Sequence, residues 1–298
     1  MSAVTSNTPP RHDGAGSHSS GVHSSGIHSS GIHFSGVLRS EWIKLRSLRS
    51  TAWSFLLVLV LPIGIGVLLA AFADTGRQGL TGDAARNALV QYCTSGTMLS
   101  SLIVAVIGAL VVTGEYGTGM IRSSFAAVPR RSVALAAKAI VLAVVVFVTS
   151  AVSVWATAFI TLPIAAGRNV EASLDASVAM PLLGASVYLT LIALLAFAVG
   201  VVLRSTAGAI AGVLGLMLVA PVVVQLVQSF TGAEWLGTLT NLLPQNAGQP
   251  LMQFGTEVTS GWHDGVLALG GWSGFAVLLA WVVVASVTAL ALVEKRDA

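Results

Sequence analysis

The chain has 298 residues, 55% of them hydrophobic and only 9% charged, with a mean hydropathy of +0.85. That much apolar surface is more than one soluble domain of this length can bury, which excludes a soluble globular class and points to the membrane. A single cysteine, Cys93, excludes an intrachain disulfide, and the formal net charge is +3.

Residues 1–36 are rich in Ser, Gly and His and carry a five-residue repeat that sets His18, His23, His28 and His33 at even spacing. Such a composition builds no core and predicts a disordered tail. Four evenly spaced imidazoles could bind a transition metal weakly, but nothing fixes their geometry or supplies supporting hydrogen bonds, so no metal site is assigned; a partner-binding tail is the other reading. Order is expected from Val37. In VLRSEWIKLRSLRSTAW, Leu38, Trp42, Leu45, Leu48 and Ala52 share a helical side, while Arg39, Lys44, Arg46 and Ser47 fall elsewhere. This reads as an interfacial amphipathic helix, with Arg39, Trp42, Lys44, Leu45, Arg46 and Arg49 as its interface residues. A basic membrane anchor would look the same. Glu41 lies close to the apolar stripe and Ile43 lies off it, a mismatch that suits contact with protein.

Six apolar runs follow, at about 53–73, 89–112, 133–165, 180–203, 206–228 and 266–293, each long enough to cross hydrocarbon as a helix. Pro62, Gly64 and Gly66 kink the first or let it pack closely. The third exceeds one perpendicular crossing and is expected to tilt or to begin in the headgroup layer. Only Leu203, Arg204 and Ser205 separate the fourth and fifth, which predicts a tight hairpin; one continuous helix would reduce the count to five.

Charge decides between these. With six spans and both termini cytoplasmic, the inner segments hold twelve of the 15 Lys and Arg, including Arg122, Arg130, Arg131, Lys138 and Arg204. The outer segments hold Arg77, Arg86 and Arg168. That asymmetry is a strong positive-inside signal, and seven of the 12 acidic residues lie outside. The net charge is therefore a dipolar distribution and not a nucleic-acid-binding face. The fold class read from these patterns is an all-α polytopic membrane protein of the cell membrane, its six transmembrane helices preceded by an interfacial helix. No cleavable signal peptide is read, because apolar residues accumulate only after residue 50.

The spans so drawn, with Lys138 counted among the cytoplasmic charges, hold no Asp, Glu, Lys or Arg in their interiors. This argues against a proton relay or an ion-coupled pump. Thr94, Ser95, Thr97, Ser100, Ser101, Tyr188, Gln225 and Gln228 either line a path or bond to helix backbone. Glycines 208, 212, 215, 270 and 274 offer small-residue packing faces. Residues 229–265, with Trp235, Leu236, Phe254 and Trp262 around Pro244 and Pro250, are too apolar for a water-exposed linker and too broken to span, so short helices dipping into the outer interface are expected.

Catalytic patterns are lacking: there is no HExxH, no paired-cysteine site, no GxSxG, and His263-Asp264 has no nucleophile at a recognisable spacing. The segment Gly114–Arg131, GEYGTGMIRSSFAAVPRR, is the prominent charged break between apolar runs. It lacks GxxxxGK[ST], so it is no phosphate loop. It reads as a cytoplasmic elbow: Gly114 ends the second span, Gly117 and Gly119 turn the chain, Met120, Ile121 and Phe125 offer apolar contacts, and Pro129 closes the element. Glu115 is expected to bond backbone donors or a basic residue such as Arg122. An inert loop with topogenic charges is the alternative.

These residues resemble the transmembrane permease subunit of ABC-2 type transporters, particularly the actinobacterial form. The resemblance rests on Glu41-Trp-Ile-Lys44-Leu-Arg46-Ser-Leu-Arg49-Ser-Thr51-Ala-Trp53, on the Gly-Glu-Tyr-x-x-Gly pattern at Gly114, Glu115, Tyr116 and Gly119, and on Ile121-Arg122, Pro129-Arg130-Arg131 and Lys138. It spans about residues 37–298 as one permease domain. It implies a non-catalytic chain that binds no cofactor and pairs with a separate cytoplasmic ATPase carrying ATP and Mg. The usual assembly has two permeases, identical or related, and two ATP-binding subunits. Carried over by position, Glu115, Tyr116, Gly119, Ile121, Arg122 and Phe125 fall in the coupling element, Arg39 to Arg49 in the interfacial helix, and 235–257 in short external helices. Export of a hydrophobic or amphiphilic substrate is implied. A non-transporting membrane sensor or assembly protein and a passive channel are the competing classes.

Overall fold

The computed structural model describes residues 34–47, 49–73, 79–119, 131–253, 261–263 and 265–296. Residues 1–33 of the repeat-bearing tail and 120–130 of the elbow lie outside them. Helix α1 (Phe34–Ser47) leads into α2 (Arg49–Phe72). The second span is a broken pair, α3 (Gly82–Thr94) and α4 (Thr97–Thr118). Then come α5 (Arg131–Ala166) and α6 (Ala176–Leu203). The fifth span joins α7 (Thr206–Leu214), one π-helical turn (Gly215–Val219) and α8 (Ala220–Thr231). After short helices α9 (Trp235–Leu242) and α10 (Pro244–Ala247) and a 3₁₀ turn (Gln249–Met252), a two-stranded hairpin, β1 (Gly261–His263) and β2 (Val266–Ala268), precedes α11 (Gly271–Arg296). Six of these helical stretches are long and apolar enough to cross a membrane.

The last span starts at Gly271, not at 266, because Val266–Ala268 pair antiparallel with Gly261–His263. Hydropathy does not distinguish a short apolar strand from the start of a helix. The hairpin between the fourth and fifth spans is present: Arg204 takes φ +52° as the cap of α6, and the Ser205 hydroxyl accepts from Gly208 N.

The break in the second span has a local cause. Gly96 packs against Pro62 of α2 so closely that a Cβ there would stand 2.4 Å from Pro62 Cα. Side chains satisfy the carbonyls around the break: Thr94 donates to Val90 O, Ser95 to Tyr92 O, and Thr97 to Thr94 O, at 2.6–3.0 Å. Ser101 likewise donates to Met98 O at 2.6 Å. Backbone bonding, not path lining, is thus what most of these hydroxyls do. The Ser153 hydroxyl of α5 donates to Leu59 O at 2.8 Å, beside the carbonyl that Pro62 leaves without its helical donor.

Helix α6 is the hub: most of its apolar length is buried, whereas most of the fifth span is not. Helix α4 meets it backbone to backbone: a Cβ on Gly108 would stand 2.2 Å from Ala193 O. Val104, Val112, Leu182, Leu189, Ile192 and Leu195 fill the surrounding core. On the other side of α6, Gly248 lies against the ring of buried Tyr188 and Gly184 against Leu251 O. The segment after α8 therefore re-enters the bundle, where non-helical backbone is tolerated because protein surrounds it.

Candidate functional site

Four of the described charges converge where α1, the last turn of α4 and the start of α5 meet. From α1 come Glu41 and Lys44, from α4 Glu115, and from α5 Lys138. The Lys138 ammonium donates to Glu115 Oε1 at 2.8 Å and to Glu41 Oε2. The Lys44 ammonium donates to Glu41 Oε1 at 2.8 Å and to Glu115 Oε1 at 3.3 Å. Glu41, Lys138 and Glu115 are only 6%, 5% and 9% exposed. Among the described residues, two carboxylates and two ammoniums meet in this low-dielectric site and their charges cancel.

Each helix presents its charge for a sequence reason. Helix α1 turns Val37, Glu41 and Lys44 inward and leaves Trp42 and Ile43, 49% and 57% exposed, on its open side. The mismatch at Glu41 therefore marks protein contact, whereas Ile43 makes none that buries it. Helix α4 does not end at Gly114. It runs through Gly114 and Gly117 to Thr118 and is capped by Gly119 at φ +73°. The extra turn places Glu115 and Tyr116 on helix, not in an elbow loop. The reason is energetic: a helical glycine costs roughly 1 kcal/mol, less than losing a turn of hydrogen bonds, and only at Gly119 does the backbone need a left-handed residue.

Lys138 sits two turns into an apolar helix, so an ionisable residue does lie inside the third long hydrophobic stretch. Glu115 takes Lys138 and Lys44 as partners, 23 and 71 residues away, and no backbone donor reaches it among the described residues. Ile121, Arg122 and Phe125 lie outside the described residues, as does the side chain of Arg49. Arg39 and Arg46 are exposed, and Leu45 is half-buried.

Tyr116, next to Glu115, faces another direction. Its ring lies under the Arg204 guanidinium, 5.3 Å from centroid to Cζ, within cation–π range. One helical turn thus touches α1 and α5 through residue 115 and the α6–α7 hairpin through residue 116. Residue 204 was legible only as a topogenic charge.

Burial pushes the Glu41 carboxyl up, but hydrogen bonds from Lys138 and Lys44 and their charges outweigh it and hold it below the usual 4.5. Burial pulls the Lys44 ammonium down, and Glu41 and Glu115 outweigh this, leaving it above 10.5. A lowered acid stabilises above its unfolded pKa and loses that contribution as pH falls through the folded value; a raised base stabilises below its unfolded pKa and loses it as pH rises through the folded value. Docking of α1 is therefore expected to be flat across neutral pH and to weaken below 4.5 and above 10.5. A spin label at exposed position 40 reads this as mobility, and a transition centred near neutrality would contradict it.

A protein-family model described as ABC-2 family transporter protein matches residues 37–219. The chain belongs to the ABC-2 transporter family. The match takes in all four charges and both partners of the Tyr116–Arg204 stack, and stops at Val219, short of the 298 expected from the resemblance. No characterised protein matches the chain. Among the described residues of this ABC-2 family member, no group of three or more His, Cys, Asp or Glu is arranged to hold a metal ion.

Proposed function

We propose that this chain is the membrane-spanning subunit of an ATP-driven transporter, coupled to a separate cytoplasmic ATPase through residues 114–131. The carrying observation is the last turn of α4, which enters that segment and holds, through Glu115 and Tyr116, three other parts of the bundle. A push on the segment would reach α1, α5 and the α6–α7 hairpin together. In this reading the α1 end faces the cytoplasm with both termini, in keeping with the basic residues concentrated there. Exposed Trp42 and the apolar open side of α1 suit the interfacial layer. Two such permeases, identical or related, pair with two ATPase subunits in the cell membrane and export a hydrophobic or amphiphilic substrate.

The test is co-expression with the products of the neighbouring genes, among which an ABC ATPase is expected. The expected result is recovery of a complex whose ATP hydrolysis responds to the membrane subunit; failure of any neighbouring ATPase to assemble would sink the reading. Within that complex, Tyr116→Ala is expected to lower coupled hydrolysis about two- to fivefold, from the loss of roughly 0.5–1 kcal/mol of cation–π contact, with complex recovery unchanged.

A further inference from the structure

A cavity of about 290 Å³ opens among α9, the 3₁₀ turn and β2, remote in sequence from the charge cluster. Its polar lining is four carboxamides, Asn241, Asn246, Gln249 and Gln253, set beside Pro250 and Leu269. No charged side chain lines it among the described residues.

The two asparagines are fixed. Asn241 Nδ2 donates to Leu267 O and Asn246 Nδ2 to Thr240 O, both at 3.0 Å, which ties β2 and the end of α9 together. One N–H of each amide is thereby committed to backbone, which sets the orientation of its Oδ1 as an acceptor and leaves the second N–H as a donor. Gln249 and Gln253 are exposed and make no side-chain hydrogen bond among the described residues. Each can offer an amide donor and a carbonyl acceptor.

We propose that this cavity binds a neutral, hydroxyl-rich ligand, such as a single sugar ring or one unit of a longer neutral glycan. A hydroxyl both donates and accepts, so neighbouring hydroxyls match a ring of carboxamides group for group. Among the described residues an anion or cation would meet no countercharge, and a wholly apolar molecule would strip water from four amides without replacing its hydrogen bonds. Pro250 and Leu269 suit the C–H face of a sugar ring. The volume lies at the small end of ligand sites and suits one ring. The proposal depends on neither the ATPase partner nor the direction of transport.

The full chain in lipid nanodiscs, free of glycoside detergent, is tested by saturation-transfer NMR with methyl α-glucoside as the probe. Glucuronate and N-acetylglycinamide serve as the charged and amide comparisons. Saturation of methyl α-glucoside is expected to exceed that of both. The double variant Gln249→Ala/Gln253→Ala, which removes only exposed side chains, is expected to weaken binding about tenfold or more, as two neutral hydrogen bonds are lost. Gln249→Ala alone is expected to fall between it and the wild type. No saturation of the glucoside, equal binding by the double variant, or stronger binding of glucuronate or the amide overturns the proposal.

Discussion

Lys138→Met is expected to destabilise the chain by about 3–5 kcal/mol and to cut the amount recovered from membranes severely. Lys138 is 5% exposed, and its ammonium lies between the carboxylates of Glu41 and Glu115. Its removal leaves two buried anions with only the partly exposed Lys44 between them. Methionine keeps most of the volume, so the loss reports charge and not packing. The double variant Glu115→Gln/Lys138→Met keeps the Glu41–Lys44 pair and removes one stranded anion, and is expected to be more stable than Lys138→Met alone. Thermal unfolding of the purified variants supplies this double-mutant cycle. A Lys138→Met protein within about 0.5 kcal/mol of wild type would show that the cluster does not hold α1, α4 and α5 together.

Gly108→Val is expected to disrupt the α4–α6 contact. Even the first added carbon would stand 2.2 Å from Ala193 O and 3.1 Å from Ala196 Cβ. The obstacle is backbone, which cannot rotate away as a side chain can, so the two central helices must separate. Overpacking of this kind costs about 1–3 kcal/mol and sometimes more; at the hub it is expected to replace a monodisperse size-exclusion peak with aggregate. Gly114→Ala and Gly117→Ala are the contrasting cases. Both positions are helical, with nothing within 4 Å of an added Cβ, so alanine is expected to stabilise by up to about 1 kcal/mol. If Gly114→Ala unfolded the protein while Gly108→Val did not, the packing described for α4 would be wrong.

The spans were legible because hydrocarbon imposes a length and a composition that few soluble segments meet. Their interruptions were not. Ser95-Gly96 reads as ordinary polar punctuation in an apolar run; only Pro62 pressing on Gly96 explains why the helix breaks there. The three glycines of the Gly114–Arg131 segment look equivalent in sequence, yet two are helical and one caps, since only Gly119 has a positive φ. The strand at Val266–Ala268 was hidden because its residues are as apolar as the helix that follows.

Residue types alone determined that this chain belongs in a membrane, that it crosses about six times, and that Glu115 and Glu41 stand apart from their surroundings. Each follows from local composition, which the solvent reads one segment at a time. Only the tertiary structure decided what those acids meet. Lys138 lies 97 residues from Glu41 and 23 from Glu115, and Arg204 reaches Tyr116 from the α6–α7 hairpin. Such pairings depend on which helix ends converge. That convergence is set by backbone contacts such as Gly108 on Ala193, and no hydropathy pattern along the chain records it.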